Sequence, residues 1–129
     1  MPANSFEYAI IRVAPRVERQ EFLNAGAVLW CPDHDFLEAR IELCPQRLKA
    51  FAPTCDIALI EAHLKVIPLI CKGGNDAGTI GAMTQRARFH WLVASRSTII
   101  QLSPPHAGLC ENPRAALDDL IRKMVSPPI

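Results

Sequence analysis

The chain has 129 residues, 50% of them hydrophobic and 21% charged, with a formal net charge of +1 at pH 7. That size and composition fit one globular domain over residues 1–129, and they exclude a disordered chain, because this much apolar surface offsets the entropy of ordering. The near-zero charge excludes a global field for nucleic acid or a membrane surface, so any polyanion must meet a local patch.

The five cysteines (Cys31, Cys44, Cys55, Cys71 and Cys110) are an odd set without a C-x-x-C pair. Residues 1–10 lack a basic segment followed by an apolar one, and the longest apolar run, residues 57–71, is broken by Glu61, His63 and Lys65. These features predict a soluble, cytoplasmic protein with no membrane span and mostly buried free thiols.

The first element is FEYAIIRVA (residues 6–14), where Ala9, Ile11 and Val13 share one face and Tyr8, Ile10 and Arg12 the other. NAGAVLWC (residues 24–31) reads as a second buried strand. The connection between them is too short for a parallel crossover, so the pair is expected to be antiparallel. This connection has two readings: Arg12, Arg16 and Arg19 face outward as an anion site, or Glu18 and Glu21 hold them while Phe22 plugs the core and Asn24-Ala25-Gly26 permits a tight strand entry. A turn at residues 32–35 feeds FLEARIEL, in which Leu37, Ala39, Ile41 and Leu43 alternate with Glu38, Arg40 and Glu42. This is the pattern of a half-exposed strand, and its outward charges suit a sheet edge.

Helices follow. Cys44-Pro45 opens a short one over residues 46–51, and Thr54 is expected to cap a longer one carrying Ile57, Ile60, Leu64, Ile67 and Cys71. Pro68 should end or bend that helix near Ile67. Residues 72–78 read as a loop. Residues 81–92 suit either a helix or a strand, and helix is preferred. STIIQL (residues 97–102) is a fourth strand, stopped by Ser103-Pro104-Pro105. Asn112-Pro113 caps a last helix with Leu117, Leu120, Ile121 and Met124 as its stripe, ended by residues 126–128. The expected fold is α+β: an antiparallel meander sheet of three to four strands with helices packed mainly on one face.

Polar chemistry concentrates in two places. Arg12, Arg16, Glu18, Arg19, Glu21 and Asn24 crowd the first connection, while residues 77–110 hold no Asp or Glu yet carry Arg86, Arg88, Arg96, His90 and His106. Arginine forks left unneutralised by sequence neighbours grip phosphate or carboxylate, and Trp91 could stack a base. The opposing reading is a structural clasp, in which Glu18 and Glu21 neutralise the arginines, Arg88 and Arg96 among them. Gly74, Gly78 and Gly81 are spaced to cradle a phosphate but lack the lysine of a P-loop. Cys31 and His34 have no second ligand pair for zinc, no cysteine lies in a nucleophile signature, and Glu18 with Glu21 is a thin basis for acid–base or metal-dependent chemistry. No cofactor and no metal is expected.

The segments YAIIRVAPRVERQEFLNAGAVLWCP and RFHWLVASRSTIIQLSPPHAGLCENP resemble the small bacterial family known as domain of unknown function 3037. The connection departs from that family at Gln20, where glycine or another charged residue is expected, and at Ala25, where valine is. The resemblance transfers no catalytic residue. It implies an interaction or regulatory role beside a HipA-like kinase encoded nearby. The leading expectation is therefore a non-catalytic binding or regulatory module acting with a protein partner. An anion-, nucleotide- or nucleic-acid-binding protein is the alternative, and a nuclease or phosphotransfer enzyme a poorer third.

Overall fold

The structure, a computed structural model, describes residues 3–94, 96 and 98–127. Strands β1 (Asn4–Val13), β2 (Leu23–Cys31) and β3 (Phe36–Ile41) form the expected antiparallel meander. Helices α1 (Pro45–Phe51), α2 (Ile57–Lys72), α3 (Gly78–Gly81) and α4 (Gln85–Val93) come next. Then follow β4 (Ile100–Leu102), β5 (His106–Cys110) and α5 (Pro113–Leu120), which runs on as a π turn, Ile121–Val125. The sheet order is β3-β2-β1-β4, with β5 also pairing β1.

The fold is α+β as expected, but the sheet has five strands because β5, unread in the sequence, docks on the remaining edge of β1. β4 and β5 are two halves of one broken edge. Between them Ser103 is buried; its amide donates to the Ile10 carbonyl and its hydroxyl accepts from the Ile10 amide, each at 2.8 Å. The serine thus satisfies backbone groups of β1 where Pro104 and Pro105 offer no donor. The fourth strand is shorter than expected, starting at Ile100; Ser97 lies outside the described residues, as does Pro128.

Sheet phase is set by a bulge. Ile11 faces Gly26 but Arg12 faces Asn24, leaving Ala25 as the extra residue. Val28 and Trp30 therefore join Ala9, Ile11, Val13 and Ala25 under the helices, while Ala27, Leu29 and Cys31 turn to the other face. The first face packs against Leu48 of α1, Ile60, Leu64 and Ile67 of α2, and Phe89 and Leu92 of α4. On the second, Phe6, Ile10 and Leu29 meet Leu117, Ile121 and Val125. Helices lie mainly on one face, with α5 alone on the other.

That crossing changes the role of the β3 charges. They face α5: Arg114 pairs with Glu38 at 2.8 Å, Arg40 with Asp118, and Ser126 donates to Glu42 at 3.1 Å. Exposed pairs of this kind contribute little each, yet they fix which charges meet.

Several local expectations shift by a few residues. The cap of α2 is Asp56, whose carboxylate accepts from the Leu59 amide at 3.1 Å, and not Thr54. Pro68 does not end α2, which continues to Lys72 because Ile70 and Cys71 are buried beyond it. The loop at residues 72–78 contains a 3-10 turn, Asn75–Ala77, and leads straight into α3. The ambiguous stretch is helical from Gln85, with Thr84 accepting from the Ala87 amide at 3.1 Å. Asn112 caps α5 as expected, but the π turn carries Val125 inward and leaves Met124 exposed.

Candidate functional site

The connection between β1 and β2 is a 3-10 turn, Val17–Arg19, closed by Gln20 in the left-handed region at φ 56°. That backbone explains why glycine suits this position. Arg19 and Glu21 pair across the turn, and the hydrogen bond together with the charge of Arg19 holds the Glu21 carboxyl below its ordinary range. Glu18 is exposed on the turn. Phe22 does not plug the core. It is 47% exposed, and the Arg12 guanidinium lies 4.1 Å from its ring centre.

Two cavities flank this connection, and Glu21 lines both. One, of about 420 Å³, is formed by Arg12, Gln20, Glu21, Phe22, Arg96 and Gln101 with Ala14 and Val17. Arg12 and Gln101 are cross-strand partners on β1 and β4, which brings both side chains to this cleft. The second, of about 320 Å³, sets Arg16, Arg19 and Glu21 against Phe51 at the end of α1 and Thr54 and Cys55 in the connection to α2. The charged connection thus shares Glu21 between two cavities, and only one of them includes residues of the acid-free stretch.

The rest of the acid-free stretch is dispersed, and the clasp expectation is corrected there. Arg88 meets neither Glu18 nor Glu21: it donates to the carbonyls of Ile70 at 2.8 Å, Cys71 at 2.6 Å and Met83 at 3.1 Å, tying the end of α2 to the turn before α4. Gly73, at φ 77°, leaves the space it fills; a Cβ there would sit 3.0 Å from the Arg88 Cζ. Arg96 caps α4 through the carbonyls of Leu92 at 3.0 Å and Trp91 at 2.5 Å and stacks on the Trp91 ring at 4.1 Å. His90 lies edge-on to Trp30, and His106 packs on Tyr8 at the other strand pair. Asn24 anchors the end of α5 by donating to the Met124 carbonyl at 3.0 Å. Of the expected site residues, the structure brings together Arg12, Glu21 and Arg96 in one cleft and Arg16, Arg19 and Glu21 in the other. Arg88, His90, His106 and Asn24 stand apart.

Arg12 differs from its fellows in what surrounds it. Its Nε is buried without a hydrogen-bond partner among the described residues. Phe22 and Gln101 were not read as site residues; the strand pairing that places Gln101 beside Arg12 depends on a contact about ninety residues apart in the chain.

Other candidates lose their chemistry on inspection. The glycine loop turns its groups inward: the Gly74 amide donates to the Gly81 carbonyl at 3.0 Å, and Gly81 packs against the Gly74 carbonyl so closely that a Cβ would lie 1.9 Å away. Burial pushes the Cys71 thiol up to about 12, against the pull of Arg88, so it is a poor nucleophile. The Cys110 thiol is raised too, by burial and then by Cys31 beside it. His34 meets the Asn4 amide at 2.8 Å. Among the described residues no three His, Cys, Asp or Glu side chains gather as metal ligands, and no helix is long and apolar enough to cross a membrane.

A model of the family described as "Protein of unknown function (DUF3037)" matches residues 8–125, which takes in β1 from Tyr8 and every later strand and helix through the π turn. The chain belongs to this family. The DUF3037 match covers both cavities and the whole of α2. No curated protein and no solved structure matches the chain.

Proposed function

We propose that this DUF3037 protein is a non-catalytic binding or regulatory module of the cytoplasm that acts by docking a protein partner through α2. The observation that carries this reading is the composition of the helix. Its inner face is built from Ile60, Leu64, Ile67, Ile70 and Cys71, yet Leu59, Val66 and Leu69 are 46%, 46% and 38% exposed, with Ala62 exposed between them. At 3.6 residues per turn these four positions fall in one outward sector. A helix apolar on both faces is normally buried, and a solvent-facing row of this kind marks an interaction surface. Lys65 and Lys72 border it, which favours an acidic margin on the partner.

The partner class that the family resemblance implies is a HipA-like kinase, and the reading is tested by mixing the two purified proteins. A complex at micromolar concentration that is lost in Val66→Asp and Leu69→Asp, with the melting temperature of the variants unchanged, is the expected outcome. Absence of a complex together with unaltered kinase activity overturns it. Exposed apolar-to-acid substitutions on a helix surface leave the core intact, so the variants are expected to fold.

A further inference from the structure

We propose that the cleft at the end of β1 is a binding site for a nucleoside monophosphate, with the phosphate gripped by Arg12 and the base laid against Phe22. This site is independent of the α2 surface. The starting point is Arg12, whose Nε is buried without a partner among the described residues and which forms no ion pair among them. A guanidinium does not lose its proton, so the charge persists beside the cleft; the Nε is sealed from it, and the terminal nitrogens, which make no hydrogen bond among the described residues, are the donors left to meet an anion there.

Among the described residues no carboxylate is paired with Arg12. Glu21 lines the cleft but is bound to Arg19 at 2.5 Å, and Glu18 points to solvent on the turn. A second cation faces the same space. Arg96 uses one N–H of each terminal nitrogen on the Leu92 and Trp91 carbonyls, and a guanidinium has five N–H groups in all. Two guanidiniums around one cleft match a dianionic phosphate monoester better than a single carboxylate.

Size and lining then select what the phosphate is attached to. The cavity of about 420 Å³ falls within the range of small-molecule sites and is much larger than a bare phosphate needs. Phe22 is 47% exposed with the Arg12 guanidinium over one face of its ring, so a flat aromatic partner would stack on the other face. Gln101 spends an Nε2 N–H on the Thr98 carbonyl and keeps its Oε1 without a donor among the described residues, and Gln20 lines the same cavity. Amide groups that both donate and accept are suited to the edge of a base.

The experiment titrates the full chain with adenosine monophosphate, uridine monophosphate, adenosine and inorganic phosphate, followed by calorimetry and by backbone amide shifts. At least one monophosphate is expected to bind and to shift the Phe22 and Gln101 amides, with adenosine silent and inorganic phosphate weaker. Arg12→Gln should weaken that binding by about tenfold or more, as loss of a charge-assisted contact does. Glu21→Gln, which removes the carboxylate from the cleft, should tighten it. Should Arg12→Gln fail to fold, Phe22→Leu and Gln101→Leu serve instead, each expected to erase the preference for the nucleotide over phosphate. No binding of either monophosphate at millimolar concentration, shifts confined to other surfaces, or equal affinity for phosphate and nucleotide overturns the proposal.

Discussion

Arg88 and Arg12 are both half-buried, one beside the end of α2 and the other at the end of β1, but their surroundings differ. Arg88 donates to three backbone carbonyls, two of them at the C-terminus of α2, where orphan acceptors and the helix dipole both favour a cation. Arg12 has an aromatic ring, an open cleft and, among the described residues, no hydrogen-bond acceptor. A guanidinium with its hydrogen bonds filled from inside is part of the scaffold. One whose terminal donors are left unfilled beside an open cleft is where the proposed phosphate would be held. Arginine content alone does not separate the two.

The largest expected effect tests that contrast directly. Arg88→Ala strands the carbonyls of Ile70, Cys71 and Met83 and should lower unfolding stability by about 2–3 kcal/mol, the scale of hydrogen bonds to a charged group. Arg12→Ala should change it by about 1 kcal/mol or less, since only a cation–π contact is lost. Urea denaturation of both variants decides the matter; equal losses would erase the distinction between scaffold and site.

Next in size is Gly73→Ala. The glycine sits at φ 77°, and an added Cβ would press on the Arg88 Cζ, so a loss of about 1–3 kcal/mol is expected by the same denaturation measurement. Pairing it with Arg88→Ala sharpens the comparison: the two losses should not add, because both displace the same side chain.

Gln20→Gly, on the Arg12 side, works in the opposite direction. It relieves a left-handed backbone at φ 56° and should leave stability unchanged or raise it by up to about 1 kcal/mol, read as a rise in melting temperature.

The smallest effect is on the acid limb. The hydrogen bond and charge of Arg19 hold Glu21 below its ordinary 4.5, so its folded value lies under the unfolded one. Its contribution is therefore present above about 4.5 and is lost as pH falls through the depressed value. Glu21→Gln should flatten that part of the stability–pH curve slightly, because the pair is exposed.

Much of the fold was legible where neighbours in sequence decide. Alternation in FLEARI, the apolar runs of β1 and β2, proline at the start of α1, and the Asn112-Pro113 cap each act within a turn or a strand. The candidate site was half legible: the connection was marked as crowded with charge, but its partners were not. Thr54 and Asp56 both had capping side chains two residues apart, and only the packing of α2 on the sheet chose between them. β5 carries HAGLC, a sequence with little strand character of its own, and is held by the vacant edge of β1.

The sequence by itself determined the periodicities, hence which residues face a core, and the kinds of charge placed between the first two strands. The tertiary structure decided where Arg88 and Arg12 end, because much of what surrounds each comes from other elements of the fold. Arg88 reaches α2 across a helix pair, Arg96 closes its own helix, and Arg12 meets Gln101 only through the antiparallel pairing of β1 and β4. A side chain with five donors and a long stem can be satisfied in many directions, so its role is fixed by the geometry around it and not by its position in the sequence.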